Sequence, residues 1–244
     1  MTDGEVFADL LGEVEARRRE FVVYAADEAE ADVVAGFDTR NVTVTHRSLP
    51  SGGPPGFVVI RGPDGRFAGS VGIPEVREFL SPPIRRPWDD DWTGGGYRAL
   101  LAVLDEALFV SFDRRQLLAT SREIEDRAWR AGRGTLRVGF QSRASFELQL
   151  AFYRRLAADT DLDVHVYGSP DWIRDRPSIE AVTLHEAPEG LAAYWFLAFD
   201  GGGEAENACA LVAEEWYPDD YRGFWSYDAG TVERIYDALG AVEG

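Results

Sequence analysis

Apolar and polar residues follow two different periods along the chain, and the stretch 113–168 contains both. Apolar residues recur at helical spacing from 114 to 131 and again from 144 to 158. Residues 135–140 and 163–167 instead alternate apolar and polar side chains, as strands do. A strand–helix–strand unit of this length predicts a crossover connection between two parallel strands.

The helix predicted for 114–131 has a signal at each end and one charged face. Asp113 precedes it as a candidate N-cap, and Gly132 follows its last turn. Its apolar face carries Leu117, Ser121, Ile124, Ala128 and Ala131. The opposite face carries two acid-before-base pairs at four-residue spacing, Glu123 with Arg127 and Asp126 with Arg130. We expect this face to be solvated, with Glu123 and Glu125 part of it and not an acid–base pair.

The N-terminal third predicts a small α/β module. A first helix starts near residue 3, and its apolar stripe (Val6, Leu10, Val14) either packs on its own domain or docks a partner or a second copy. Strands at 21–25, 42–46, 57–60 and 67–71 then combine with helices at 28–37 and 74–80. This β-α-β-β-β-α order resembles part of a thioredoxin-like fold. Cys209 is the only cysteine, so thiol redox chemistry, an intrachain disulfide and a zinc ribbon are excluded.

Residues 81–96 are rich in proline, glycine and aspartate, which is typical of a linker. We therefore predict an N-terminal module with its leading helix at 1–80, a linker at 81–96 and a second domain at 97–244. Trp88 and Trp92 in the linker either clamp the two halves together or face a partner.

The second domain predicts further helices and strands around the crossover unit. A helix starts at 97, strands follow at 181–184, 193–199, 208–213 and 224–227, and a closing helix spans 231–239. The expected fold class is α+β or α/β, with a mixed sheet of about four or five strands flanked by helices.

Several strings in this half resemble one family. They are Leu-Leu-Ala-Thr-Ser-Arg-Glu-Ile-Glu-Asp (117–126), Val-Gly-Phe-Gln (138–141), Tyr-Arg-Arg-Leu-Ala (153–157), Val-Tyr-Gly (166–168), Tyr-Trp-Phe-Leu-Ala-Phe-Asp (194–200) and Tyr-Arg-Gly-Phe-Trp-Ser-Tyr-Asp (221–228). Over roughly 97–239 the chain is similar to the DICT sensory domain, which occurs beside diguanylate cyclase, phosphodiesterase and histidine kinase modules. The resemblance implies an α+β sensory domain, with a suggested link to light responses, and brings no ligand or cofactor with it.

Charge separates this chain from an average globular protein. The net charge is −18, and all 25 basic residues are arginine. Acidity without lysine favours a cytoplasm at multimolar salt, as in haloarchaea, because dense salt screens the self-repulsion; a generic acidic protein of a GC-rich mesophile is the alternative. The lack of a basic footprint argues against nucleic-acid binding. No apolar run has the length of a membrane helix and no signal peptide is present, so we expect a cytoplasmic protein.

Catalytic and metal-binding motifs are absent from the sequence. It contains no nucleophile elbow and no phosphate-binding loop. His46, His165 and His185 are far apart, and none has metal-ligand spacing.

Polar residues at a predicted strand end suggest a ligand site. Gln141 and Arg143 follow the strand that ends at Phe140, where open α/β sheets bind ligands, and the helix that follows offers free backbone N–H groups. Aromatic residues would supply an apolar wall. The candidate ligand-binding residues are Gln141, Arg143, Trp172, Trp195 and Trp225. The alternative is that the aromatic residues only pack in the core.

Three functions remain open at this level. The first is a non-enzymatic sensory protein that binds a small ligand or protein partner and signals to a separate kinase, cyclase or regulator. The second is an enzyme that uses the strand-end polar groups, and the third is a structural interaction protein. A homodimer fits the first and third functions.

The charge pattern predicts a dependence of stability on salt. The melting temperature should rise with the potassium chloride concentration and reach its maximum at roughly molar salt, because screening removes the repulsion between surface carboxylates. Melting temperatures that do not change with salt would exclude the halophilic interpretation.

Overall fold

The chain forms two mixed β-sheets flanked by helices. The computed structural model describes residues 3–27, 42–50, 52–89, 95–105, 109–174, 179, 181–187 and 190–240. One sheet has four strands and the other has seven. The expected α+β class is therefore confirmed.

The smaller sheet is built from the N-terminal part of the chain. Its strands are β1 (Arg19–Ala25), β2 (Val42–Ser48), β3 (Phe57–Arg61) and β4 (Phe67–Gly72), in the order β2-β1-β3-β4. The β1–β2 pair is parallel and the other pairs are antiparallel. Helix α1 (Asp3–Ala16) precedes this sheet and α2 (Ile73–Leu80) follows it. The helix expected at 28–37 lies outside the described residues, and the thioredoxin-like interpretation stays a prediction.

The larger sheet is built from the rest of the chain in the order β5-β11-β10-β9-β6-β7-β8. Its strands are β5 (Phe109–Asp113), β6 (Arg133–Phe140), β7 (Asp161–Gly168), β8 (Val182–Glu186), β9 (Tyr194–Phe199), β10 (Cys209–Tyr217) and β11 (Asp220–Ser226). The helices are α3 (Gly95–Val103), α4 (Arg114–Ala131), α5 (Arg143–Asp159), α6 (Pro170–Ile173) and α7 (Ala229–Gly240), with a 3-10 turn at Ala205–Asn207.

Two features of this sheet test the expected topology. Strands β6 and β7 are parallel and joined by α5, which confirms the predicted crossover. The sheet has seven strands and not four or five. The strand that the sequence did not predict is β5, a five-residue edge strand whose pairing partner, β11, lies more than a hundred residues further along the chain. Such a strand is specified by non-local pairing and has little local signal.

Helices α1 and α7 cover one face of the larger sheet. Phe7, Leu10, Leu11 and Val14 of α1 are buried in one cluster with Phe196 of β9 and Ile235 of α7. Two ion pairs close the edge of this layer, Arg234 to Glu13 at 2.7 Å and Arg222 to Glu15 at 3.0 Å. The apolar stripe of α1 is thus used inside the chain, as expected for a helix packed on its own fold.

The opposite face of the larger sheet belongs to a core that continues into the smaller sheet. Phe21, Val58 and Ile73 belong to the same buried cluster as Leu197 and Leu211. Around Phe79 of α2, ring centroids lie at 5.3 Å for Tyr97, 5.7 Å for Phe112 and 6.1 Å for Trp225. The division of the chain into two domains at 81–96 stays a prediction. Residues that precede this segment and residues that follow it belong to one apolar core.

Helix α4 lies at the centre of this second face, with the ends that its sequence predicted. The Asp113 side chain accepts from the Gln116 backbone N–H at 2.8 Å, and the Gln116 side chain accepts from the Asp113 N–H at 3.0 Å, which completes a capping box. At the other end, Gly132 has a φ of 67° and ends the helix in the left-handed region, where glycine is unstrained.

Substitution of the cap should destabilise the protein measurably. Asp113→Ala removes the acceptor for the Gln116 N–H and should lower the free energy of unfolding by about 1 kcal/mol. Asp113→Asn keeps an acceptor oxygen and serves as the control. Urea unfolding of both variants measures the difference, and equal stabilities would show that the capping box contributes nothing.

Candidate functional site

The charged face of α4 is buried. The side chains of Glu123 and Glu125 are each 1% exposed, and that of Asp126 is 6% exposed. The prediction of a solvated face is therefore wrong. The reason is tertiary: side chains of α3 and α5 contact this face of α4. At the first turn of α4, Gln116 and Arg115 also donate to the carbonyl groups of Leu80, at the end of α2, and Pro82.

One ion-pair cluster joins α4 to α3. Arg98 donates from Nε to Glu123 at 3.0 Å and from a terminal nitrogen to Asp126. Arg130 donates to Asp126 at 2.9 Å and lies 3.7 Å from Glu123. The expected Asp126–Arg130 pair therefore exists, but as part of a four-residue cluster. Arg127 does not pair with Glu123; its guanidinium stacks over Tyr227, 4.3 Å from the ring centroid.

A second cluster joins α4 to α5. Glu125 accepts hydrogen bonds from Arg122 and from the Tyr153 hydroxyl. Arg122 also donates to Gln149, and its guanidinium lies over Phe152, 3.7 Å from the ring centroid. Across the two clusters, three arginines match three carboxylates. This pairing is required because an unpaired charge at such a depth is strongly destabilising.

Burial changes the acidity of these groups. It is the largest cause of the raised pKa of Glu125, and it outweighs the opposing effect of Arg122. Burial likewise raises the pKa of Glu123 despite Arg98 and Arg130. The pKa of the Tyr153 hydroxyl lies well above its ordinary value because of burial and the adjacent Glu125. The second cluster thus holds its protons more tightly than solvated groups would.

The N-terminal end of α4 meets a half-buried tryptophan. Trp195 donates from its indole N–H to the Ser121 hydroxyl at 3.1 Å. Tyr221 meets the same ring edge-on with centroids 6.0 Å apart, and the Arg114 guanidinium lies 5.9 Å from its centroid. Arg114 also donates to the Ser145 hydroxyl of α5 at 3.0 Å. We call the group Arg114, Ser145, Trp195 and Tyr221 the Trp195 edge.

Two of the candidate ligand-binding residues lie where β6 ends and α5 begins. Gln141 donates to the Ala193 carbonyl at 2.6 Å, two residues before Trp195. Arg143 is exposed and pairs with Glu147 one turn along α5 at 2.9 Å. The Ser142 hydroxyl accepts from the Ser145 N–H at 3.2 Å, so one of the backbone donors expected at this helix start already has an acceptor.

The other two tryptophans lie in separate aromatic groups. Trp172 is 4% exposed and stacks on Phe146 with centroids 5.4 Å apart. Trp225 is 2% exposed, stacks on Phe109 and Phe112, and donates from its indole to the Leu101 carbonyl at 2.9 Å. The structure therefore does not bring the three tryptophans into one wall.

Sequence reasoning missed two groups that the sheet register brings together. One is Arg114 with Tyr221, which come from α4 and β11. The other is a histidine pair on the parallel strands β7 and β8: the His165 and His185 rings stack 4.9 Å apart and share a 2.8 Å hydrogen bond. Only the strand register could have revealed either contact. Within the part of the chain that the structure describes, no cluster of three or more His, Cys, Asp or Glu side chains is arranged to hold a metal ion.

One comparison relates part of this chain to the sensory domains of signalling proteins. Residues 98–216 match the DICT family model, described as a sensory domain in diguanylate cyclases and two-component systems. The resemblance seen in the sequence is therefore confirmed for residues 98–216, and the string at 221–228 lies outside the match.

Other comparisons add little. No curated protein matches the chain. The crystal structure of polyphosphate kinase from Porphyromonas gingivalis is similar with a TM-score of 0.38 and 13% identity; the match covers 96% of this chain but spans only 48% of the kinase chain. A similarity that low supports no inference. Within the described residues, no helix combines the length and hydropathy that crossing a membrane requires.

The raised pKa of Glu125 predicts the sign of a pH dependence. Glu125 is protonated in the folded protein at pH values where it is ionised in the unfolded chain. Its contribution to stability is therefore present at low pH and is lost as the pH rises from the ordinary value of 4.5 towards the raised pKa. Over that range wild type should lose stability more steeply than Glu125→Gln, by about 1.4 kcal/mol for each unit of raised pKa.

Urea unfolding at several pH values measures the two slopes. The comparison uses the slope of the free energy of unfolding against pH. The hydrogen bonds that Glu125→Gln alters change this free energy by the same amount at every pH, so they do not affect the slope. Glu78→Gln removes an exposed carboxylate of α2 and is the control. Parallel curves for wild type and Glu125→Gln would contradict the assignment.

Proposed function

We propose that this protein is a cytoplasmic sensory module that catalyses no reaction. It binds a small ligand or a protein partner and passes the signal to a separate output protein, such as a kinase, a cyclase or another regulator. The observation that carries the proposal is the match of residues 98–216 to a sensory family. The same segment contains α4, which links an accessible aromatic edge to two buried ion-pair clusters.

The ligand site that we propose is the Trp195 edge together with Gln141 and Arg143. Arg114 and Arg143 offer planar donor forks that suit a carboxylate, a phosphate or a carbonyl group. The ring of Trp195 offers an apolar surface beside them. Trp172 and Trp225 then act as buried support and do not touch the ligand.

Helix α4 is the element that we propose to relay binding. Its Ser121 accepts from the Trp195 indole, and the next residue, Arg122, and Glu125 one turn further on bind Gln149 and Tyr153 of α5. A ligand that displaces Trp195 would act on this hydrogen bond first. The ligand moves α4 only if it binds the protein more tightly with the helix in one position than in another. The equilibrium between the two positions then changes by no more than that difference in binding free energy.

The setting that we propose follows from composition and family. The acidic, lysine-free surface suits a halophilic cytoplasm and a protein partner rather than nucleic acid. The signal is environmental, and a link to light follows from the family resemblance alone.

Native mass spectrometry tests whether the protein binds a ligand. The natively purified protein should carry a small molecule at a stoichiometric ratio. Gln141→Ala with Arg143→Ala should remove that mass and lower the free energy of unfolding by only about 1 kcal/mol, since both residues are polar and the main loss is the Gln141–Ala193 hydrogen bond. Arg66→Ala, an exposed arginine remote from the site, is the control.

Two outcomes would contradict the proposed site. A double variant that retains the ligand in full would exclude Gln141 and Arg143. A clean apo mass for wild type, combined with full complementation of a deletion strain by the double variant, would exclude ligand sensing through this edge. Trp195→Phe removes the indole donor to Ser121 but keeps an aromatic ring at the site, so it tests the proposed relay with less risk of unfolding than Trp195→Ala.

A further inference from the structure

One face of α5 is exposed and carries an apolar centre. Phe146, Phe152, Tyr153 and Leu156 bury the opposite face. The exposed face is centred on Ala144, Ala151 and Ala158, which repeat every seven residues, and Leu148 stands beside them. Leu148 is 76% exposed, more than any other large apolar side chain in the described part of the chain. A single exposed leucine is common on protein surfaces, but the row of alanines beside it leaves this side of the helix without bulky side chains, so a second helix can approach it closely.

The charges on this face are complementary to the same face of a second copy. Glu147 precedes the central Ala151 by four residues, and Arg154 follows it by three, on the same side of the helix. Glu147 also pairs with Arg143 of its own helix at 2.9 Å, and its second carboxylate oxygen can accept from Arg154 of another copy. When two such helices cross antiparallel about a two-fold axis at Ala151, Glu147 of each copy faces Arg154 of the other. A parallel arrangement would instead place Glu147 against Glu147 and Arg154 against Arg154.

The apolar positions fit the same antiparallel arrangement. Ala144 meets Ala158 of the second copy, and Ala151 meets its own equivalent, so the helices approach closely at the crossing point. On the other side of the contact, Leu148 meets the aliphatic stem of Arg155. Arg155 is already held in place by Asp159 at 3.1 Å and by stacking over Trp88 at 4.2 Å.

We infer that the protein forms a homodimer through antiparallel contact of α5 with α5 of a second copy. The interface is isologous, because the same residues contribute from both copies. A helix of 17 residues is about 25 Å long. The contact is therefore smaller than standard interfaces, and the dimer is weak and dissociates in the micromolar range. The inference goes beyond the proposed sensory function and does not depend on it.

Charge reversal with mixing tests the dimer and its direction together. Sedimentation velocity of the full chain over a micromolar concentration series should show reversible dimerisation of wild type. Glu147→Arg alone and Arg154→Glu alone should each weaken association by about tenfold or more, because two like-charge contacts replace two ion pairs. An equimolar mixture should associate again, since every contact between the two variants joins opposite charges. The salt concentration is the lowest at which circular dichroism shows wild type and every variant to be folded, because molar salt would screen the contacts between the copies.

Two further variants complete the experiment. Leu148→Ser should abolish dimerisation without a change of charge, and it tests the same face if a reversal variant fails to fold. Phe67→Ser removes a 65% exposed phenylalanine of β4 and should leave association unchanged. A wild type that stays monomeric, a dimer that survives Leu148→Ser, or a mixture of the two reversal variants that stays monomeric would each overturn the inference.

Discussion

The structure depends on the pairing of the charged side chains that α4 buries. Removing a carboxylate or a guanidinium from solvent costs several kcal/mol, which is recovered only when each group meets an opposite charge in good geometry. Glu123 and Asp126 find Arg98 on α3, while Glu125 pairs with Arg122 of α4 itself and accepts from the Tyr153 hydroxyl of α5. The positions of the three helices are therefore coupled, because a shift of α4 relative to α3 separates two buried carboxylates from Arg98, and a shift relative to α5 breaks the hydrogen bond between Tyr153 and Glu125.

Arginine suits this task for a chemical reason. Its planar guanidinium can serve two acceptors at once, and it stacks on aromatic rings. Arg98 bridges two carboxylates, while Arg122 contacts Glu125 and Gln149 and lies over Phe152. A lysine would supply one point charge and no stacking plane. The exclusive use of arginine therefore suits the buried clusters of this protein as well as its surface.

Local sequence signals predicted local structure well. The Asp113 cap and Gly132 gave the limits of α4, and the alternation at 135–140 with the following helix gave the parallel β6–β7 pair. The burial of the charged face could not be read in the same way, because acid–base pairs at four-residue spacing look alike on a solvated helix and on one enclosed by neighbours. Edge strand β5 and the contact of Arg114 with Trp195 depend on distant segments, so no local pattern encodes them.

The sheet order has a consequence for the order in which the protein folds. Strand β5 directly precedes α4, but its partner β11 is synthesised more than a hundred residues later. The sheet surface beneath α4 also includes β9 and β10, so the apolar face of the helix has no completed layer to pack against until these strands have been made. Arg98 of α3 and Tyr153 of α5 reach their buried partners once α4 is seated on this sheet, in a late step of high contact order. A chain that ends before β11 should therefore lack the native position of α4, even though the sequence of that helix is complete.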